Sequence, residues 1–269
     1  MSIAAVIQMT SSADVQDNLQ TAYALLQQAA QQGAELAALP ENFALMGMRE
    51  RDKLAIAETD GEGPMQEWLT HTARELRLWI VAGTLPLKVA DDPRVAAACL
   101  VVDAHGQRVA RYDKLHLFDV EVDDATGSYC ESATIAPGQQ TALVDTPIGR
   151  LGLAVCYDVR FPELFRQLSA QGAQAFVLPS AFTVPTGRAH WEVLLRARAI
   201  ENLAYLLAPA QTGLHANGRE TYGHSMIVDP WGERLACRVA EPGVVLAEID
   251  LDGQRERRQR FPALAHRRL

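Results

Sequence analysis

Short apolar runs of strand length alternate with helical stretches along the whole sequence, and that alternation confines the chain to an α/β architecture. Residues 3–9 form the first such run. Asp14 then stands as an N-cap before a helical face through Val15, Leu19, Tyr23, Leu26 and Ala30. Gly33 closes this helix, and residues 35–39 read as the next strand. Further helices are expected over residues 65–76, 162–171 and 189–202. Strands are expected over 78–85, 96–102, 107–112, 150–155, 174–178, 205–208, 224–228, 233–237 and 244–249. Asp229-Pro-Trp-Gly232 sits between two of these strands and has the composition of a hairpin turn.

No Pro/Gly/Ser-rich linker and no long internal repeat breaks the pattern, so residues 1–269 are expected to form a single domain. The strand-rich middle predicts two sheets packed together with helices outside. The Arg255 to Arg260 stretch reads as the solvated face of a terminal helix.

Composition narrows the function classes. A formal charge of −8 argues against a broad nucleic-acid or anionic-membrane surface. No basic segment precedes Arg49, and no apolar run reaches the ~18 to 20 residues of a membrane span, so neither a secretory leader nor a membrane anchor is expected. Cys99, Cys130, Cys156 and Cys237 are scattered with no C-x-x-C pair. Free thiols in a cytoplasmic protein, with no metal site, are the expectation.

Nucleotide-binding glycine motifs and a G-x-S-x-G elbow are both missing. Reactive side chains instead stand just past apolar strands. Residues 151–155 run into Cys156, followed by a turn and a helix with Pro162 at its start. Such a sulfur is either a nucleophile, whose thiolate a nearby helix N-terminus favours, or a small buried hydrophobe ending a core strand. Glu41 follows a strand and Pro40. Of the 25 basic residues only Lys53, Lys88 and Lys114 are lysines, and Lys114 lies between hydrophobic neighbours. The three make chemical sense together: Cys156 attacks, Glu41 takes the thiol proton with a pKa raised by desolvation, and Lys114 with the Tyr157 backbone N–H holds the oxyanion. His116 and His190 need no special role.

Pro40-Glu41-Asn-Phe43, Asp113-Lys114-Leu-His-Leu-Phe-Asp119 and Gly152-Leu-Ala-Val-Cys156-Tyr-Asp-Val-Arg160-Phe-Pro-Glu-Leu164 resemble, in order, the three catalytic blocks of the nitrilase or carbon–nitrogen hydrolase superfamily. Cys130-Glu131-Ser132, Pro137-Gly138 and Tyr222-Gly-His-Ser-Met-Ile-Val-Asp-Pro-Trp-Gly232 extend the likeness over nearly the whole chain. The resemblance implies an α/β fold, a four-layer α-β-β-α sandwich of the nitrilase type that pairs into a homodimer. It implies Glu41 as base, Lys114 as cationic stabiliser and proton donor, Cys156 as nucleophile and Glu131 as the second glutamate that positions the lysine. It implies no cofactor.

Within that superfamily the sequence is most similar to the deaminated glutathione amidase branch, through Ser180-Ala-Phe182, residues 194–201 and Ala210-Gln-Thr-Gly213. The implied substrate is a small 2-oxo-acid amide whose carboxylate meets Arg160, with Phe182 and Thr186 completing that subsite. Arg188 stands where the branch is expected to carry Pro, and residues 214–221 carry nothing diagnostic. The alternatives are an omega-amidase acting on alpha-ketoglutaramate, an acyl transferase using the same thioester, and a scaffold that keeps the fold without turnover.

Overall fold

The structure, a computed structural model, describes residues 1–268. Two sheets lie face to face between helical layers. The first has seven strands, running Gly243–Ile249, Ser2–Gln8, Leu36–Ala38, Trp79–Val81, Asp92–Val102 and Leu85–Val89, with Arg108–Asp113 also paired to Asp92–Val102. The second has six, running Arg234–Arg238, Ser225–Val228, Tyr205–Ala208, Ala175–Val177, Gly149–Leu153 and Leu143–Thr146. In each sheet three adjacent strands are parallel: Ser2–Gln8 with Leu36–Ala38 and Trp79–Val81, and Gly149–Leu153 with Ala175–Val177 and Tyr205–Ala208. The helices are α1 (Val15–Gln31), α2 (Asp52–Ala55), α3 (Pro64–Leu76), α4 (Pro162–Ala170), α5 (Val184–Asn202) and α6 (Leu251–Arg260).

Strand alternation assigns the layers. Ala4 and Val6 pack with Leu151, Leu153 and Val177 between the sheets, while Ala5 and Ile7 face Leu19 and Leu26 of α1 and Leu69 of α3. On the far side, Leu164, Phe165 and Leu168 of α4 and Leu195 of α5 cover the second sheet. The result is the expected four-layer α-β-β-α sandwich. Both faces of the first strand are buried, which is why it reads as a continuous apolar run.

Local signals fall where the chemistry of the termini puts them. Asp14 caps α1 by accepting from the Asp17 N–H at 3.0 Å, a contact worth about 1 kcal/mol. The Asp229 carboxylate accepts from the N–H groups of Trp231 and Glu233, which closes the turn between Ser225–Val228 and Arg234–Arg238.

Other expectations need correction. The single strand over 78–85 is two, because Gly83 turns left-handed at φ 47° and a hairpin partner, Leu85–Val89, begins beyond it. Helix α5 starts at Val184, with Pro185 in its first turn, five residues before the expected start. The basic stretch of α6 is not wholly solvated. Arg258 is half-buried and donates to the Leu203 and Ala173 carbonyls, and Arg257 lies 5.1 Å over the Trp231 ring. Among the described residues no helix is long and apolar enough to cross a membrane.

Candidate active site

Two parallel strands end at the same place from opposite sheets. Leu36–Ala38 runs through Leu39 and Pro40 into Glu41, and Gly149–Leu153 runs through Ala154 and Val155 into Cys156. Close backbone approach fixes the first of these ends. A Cβ at Gly83 would lie 1.9 Å from the Pro40 carbonyl oxygen, so only glycine lets the neighbouring strand end pack there. Gln211, fully buried just past the end of the strand Tyr205–Ala208, donates to the Glu41 carbonyl at 3.0 Å and to Ser11 at 2.7 Å, lacing the strand ends of the two sheets together behind the carboxylate.

Cys156 itself sits at φ 48°, a left-handed conformation that costs a non-glycine residue about 1–3 kcal/mol. The turn Cys156–Arg160 that follows is held by Asp158, which has no solvent exposure. Its carboxylate accepts from the Val155 N–H at 2.8 Å, the Tyr112 hydroxyl at 2.7 Å and the His116 N–H at 3.1 Å. The Cys156 N–H donates to the Pro179 carbonyl at 2.9 Å. These contacts over-determine the strained residue and aim its sulfur into a cleft.

Lys114 follows the strand Arg108–Asp113. Its backbone is gripped by Gly138, whose N–H donates to the Lys114 carbonyl at 2.8 Å and whose missing side chain would collide with Asp113. The ammonium donates to Glu41 Oε1 at 2.8 Å and to both oxygens of Glu131 at 2.9 and 2.8 Å. Glu131 Oε2 also accepts from the Phe118 N–H at 2.7 Å, so this glutamate is oriented from two sides. Lys114 is 1% exposed and Glu41 4%, and the ammonium offsets the burial of the carboxylate it pairs with.

The electrostatics correct two expectations. Burial pushes Glu41 up, but the adjacent Lys114 charge and hydrogen bonds from Lys114 and the Cys156 thiol outweigh it, so the carboxyl lies below its ordinary range. Burial pushes Lys114 down, and Glu131 and Glu41 together overcome that and hold the ammonium well above its usual value. Cys156 is pushed up, by burial first and by Glu41 second, against Lys114 and the Ala181 N–H, which favour the thiolate. The thiolate expected from a helix N-terminus is therefore not the resting form. One ammonium already faces two carboxylates, and a third negative charge in the same dry space is unfavourable.

Tyr157, Phe182 and Thr186 line the same cleft as Glu41, Lys114, Glu131 and Cys156. Arg160 does not. Its guanidinium carbon lies 5.7 Å from the ring centres of both Tyr157 and Phe182, behind two lining side chains, and its Nη1 is 3.3 Å from His190 Nδ1. Structural pairing with Asp158 is not formed, since that carboxylate is occupied. Sequence reading missed Glu50, Lys53, Tyr129 and Arg219, all of which line the cleft. Arg219 sits in the stretch 214–221 that carried no diagnostic residue, and only the hairpin Thr212–Leu214 with Glu220–Tyr222 brings it inward.

Residues 3–259 match the carbon-nitrogen hydrolase family, and the chain belongs to it. Over 98% of its length the chain is 47% identical to a deaminated glutathione amidase of Synechocystis, covering 97% of that protein. It is 44% identical to the human deaminated glutathione amidase, over 99% of this chain and 82% of the relative. The crystal structure of the C. elegans NitFhit protein superposes with a TM-score of 0.91 at 42% identity, over 99% of this chain. The chain spans 65% of that longer protein.

Proposed function

We propose that this protein is an amidase that hydrolyses deaminated glutathione, a 2-oxo-acid amide, to 2-oxoglutarate and cysteinylglycine through a thioester on Cys156. The observation that carries the reading is the convergence of Cys156, Glu41 and Lys114 on one cleft, with the Lys114 ammonium 2.8 Å from the Glu41 carboxylate. The names of the relatives support the substrate.

In this mechanism Glu41 accepts the thiol proton as sulfur forms its bond to the amide carbon. Because the resting sulfur is neutral, proton transfer accompanies attack and no free thiolate accumulates. Lys114 and the Tyr157 N–H stabilise the oxyanion, and Glu131 holds Lys114 in place. The C–N bond then breaks as the amine takes the proton from Glu41. Glu41 next draws a proton from water, whose oxygen displaces the sulfur, and Glu41 returns that proton to Cys156 as the acid leaves. No electrons are gained or lost overall, and nucleophile, base and cation are all side chains, so the chemistry calls for no cofactor. Arg160, from behind Tyr157 and Phe182, supplies positive potential for the 2-oxo-acid carboxylate, with Phe182 and Thr186 shaping that end.

The same reading treats residues 1–269 as one domain of a cytoplasmic homodimer. The four cysteines are unpaired, which fits a reducing compartment. Val193 and Ile200 of α5, with Trp231 and Phe261 nearby in the outer layer, are large apolar side chains left exposed, which supports pairing through that layer. Light scattering that returned a stable monomer at micromolar concentration would contradict the dimer.

Comparison of kcat/KM for deaminated glutathione and alpha-ketoglutaramate tests the substrate. Deaminated glutathione is expected to be the better by at least about tenfold, a 1.4 kcal/mol preference. A preference for alpha-ketoglutaramate would make this an omega-amidase, and thioester release faster to an added amine than to water would make it an acyl transferase.

A further inference from the structure

The cations that line the cleft are not equivalent. Lys114 is neutralised by Glu41 and Glu131, and Lys53 by Glu50 at 2.9 Å. Arg219 pairs with no carboxylate among the described residues. One end of its guanidinium, Nη2, donates to the Ala181 carbonyl, and its Cζ lies 5.2 Å over the Tyr129 ring. Its Nε is buried from solvent and has no acceptor. A guanidinium donor shut away from water with nothing to bind is costly.

The segment that carries it is built to hold it there. The Arg219 N–H donates to Asn217 Oδ1 at 2.9 Å, the Arg219 carbonyl accepts from the His215 N–H at 2.9 Å, and the Asn217 side chain donates to the Gly47 carbonyl at 2.8 Å. The buried His215 ring bridges the Ser11 carbonyl and Thr221. The tip of the hairpin is therefore tied, through His215 and Asn217, to the loops that follow the strands Ser2–Gln8 and Leu36–Ala38. A fixed, planar, unpaired guanidinium at the wall of a cleft is suited to a carboxylate.

Position selects which end of the substrate it meets. Arg219 lines the cleft together with Glu41 and Glu50, and its charge favours both carboxylates, whereas Arg160 lies outside that lining, against Tyr157 and Phe182. In the proposed reaction the departing nitrogen takes its proton from Glu41, so the amine half of the substrate lies on the Glu41 side. Resting on that amidase reading, we propose that Arg219 binds a carboxylate carried by the leaving amine. The cleft then selects amides whose amine half is an amino acid or a short peptide with a free C-terminus. Cysteinylglycine fits this description, and ammonia, the leaving group of alpha-ketoglutaramate, does not.

The test uses deaminated glutathione and its glycinamide form, in which the terminal carboxylate is replaced by a neutral amide. Capping is expected to lower kcat/KM of the wild type by about tenfold or more, chiefly through KM. The same cap should lower that of Arg219→Gln by less than about twofold, because the interaction it removes is already gone. Equal penalties in the two proteins would overturn the role of Arg219. A wild type that hydrolysed both forms equally well would overturn it too, and that arm does not depend on the variant folding. Turnover of alpha-ketoglutaramate with none of either form of deaminated glutathione would instead overturn the proposed substrate, and this inference with it.

Discussion

The Tyr112 hydroxyl donates to Asp158 at 2.7 Å, and this single contact joins the strand that delivers Lys114 to the turn that delivers Cys156. Asp158 also receives the His116 N–H from just beyond Lys114. One buried carboxylate thus sets the distance between the sulfur and the ammonium, although it lines no part of the cleft. Asp158→Asn keeps the size but turns an acceptor toward donors. It should destabilise the fold by about 1.5–3 kcal/mol, the worth of hydrogen bonds to a charged group. It should also lower kcat more than it raises KM. Denaturant unfolding and steady-state kinetics on the same preparation check both, and an unchanged kcat would mean the turn keeps its shape without this carboxylate.

Cys156→Ala is expected to abolish turnover, and brief incubation of the wild type with substrate should leave an acyl mass on Cys156. Cys99 is fully buried and should stay unmodified by a small alkylator, whereas substrate should protect Cys156 more than Cys130 or Cys237. Mass spectrometry of the four cysteine peptides reads this out. Activity near wild type in Cys156→Ala would end the thioester mechanism.

Glu41→Gln and Lys114→Met should separate catalysis from stability. The first removes the base while leaving Lys114 paired with Glu131, so a rate loss on the order of 10² to 10⁴ is expected with a modest change in unfolding free energy. The second strands two buried carboxylates side by side and should cost about 3–5 kcal/mol as well as activity. If Lys114→Met unfolded at the same denaturant concentration as Glu41→Gln, the buried network would not stabilise the fold as a unit.

The pH dependence has a definite sign. Glu41 is depressed below its ordinary 4.5, so its reactive carboxylate, and the stability of its pairing, persist above that value and are lost as pH falls through the lower folded value. Lys114 is raised above its ordinary 10.5, so its stabilising charge is present below that value and lost only as pH rises through a higher one. The Cys156 thiol is raised above 9.0. A profile of kcat/KM should therefore be flat between about pH 5 and 9. An inflection near neutrality, unmatched by one in stability, would assign the base to a histidine.

Arg160→Gln removes the positive charge that rests against Tyr157 and Phe182. KM for 2-oxo-acid amides should rise about tenfold. Alkylation of Cys156 by a small neutral reagent should proceed as in the wild type. An equal loss on an amide without the carboxylate would make Arg160 a packing residue.

What the sequence discloses is what neighbours along the chain decide. Asp14 caps α1, Asp229 closes its turn and Cys156 ends a strand because each depends on a few adjacent residues. The triad itself was legible through the motifs around Glu41, Lys114 and Cys156. The break at Gly83 was not, since residues 78–85 are apolar almost throughout and only the Pro40 carbonyl explains the kink. The resting state of the sulfur was also hidden. It depends first on burial and then on Glu41, 115 positions away in the chain, which together outweigh Lys114 and the Ala181 N–H. Arg219 was invisible for the same reason: its environment is Ala181 and Tyr129, neither of them near it in sequence.

The hairpin Thr212–Leu214 with Glu220–Tyr222 forms a small sheet of its own, apart from the two that make the sandwich. It touches the scaffold through backbone bridges such as Met9 with Gln211 and Thr183 with Thr221, and it supplies none of the Glu41–Lys114–Cys156 chemistry. Such an arrangement uncouples two kinds of evolutionary change. Exchange of the residues between these two short strands rewrites the wall facing the substrate while the strand ends that break the bond stay untouched. For the protein engineer, the same segment is a cassette: Ala216 and Arg219 can be varied at constant length while His215 and Asn217 keep the loop anchored, and each variant judged by what it accepts.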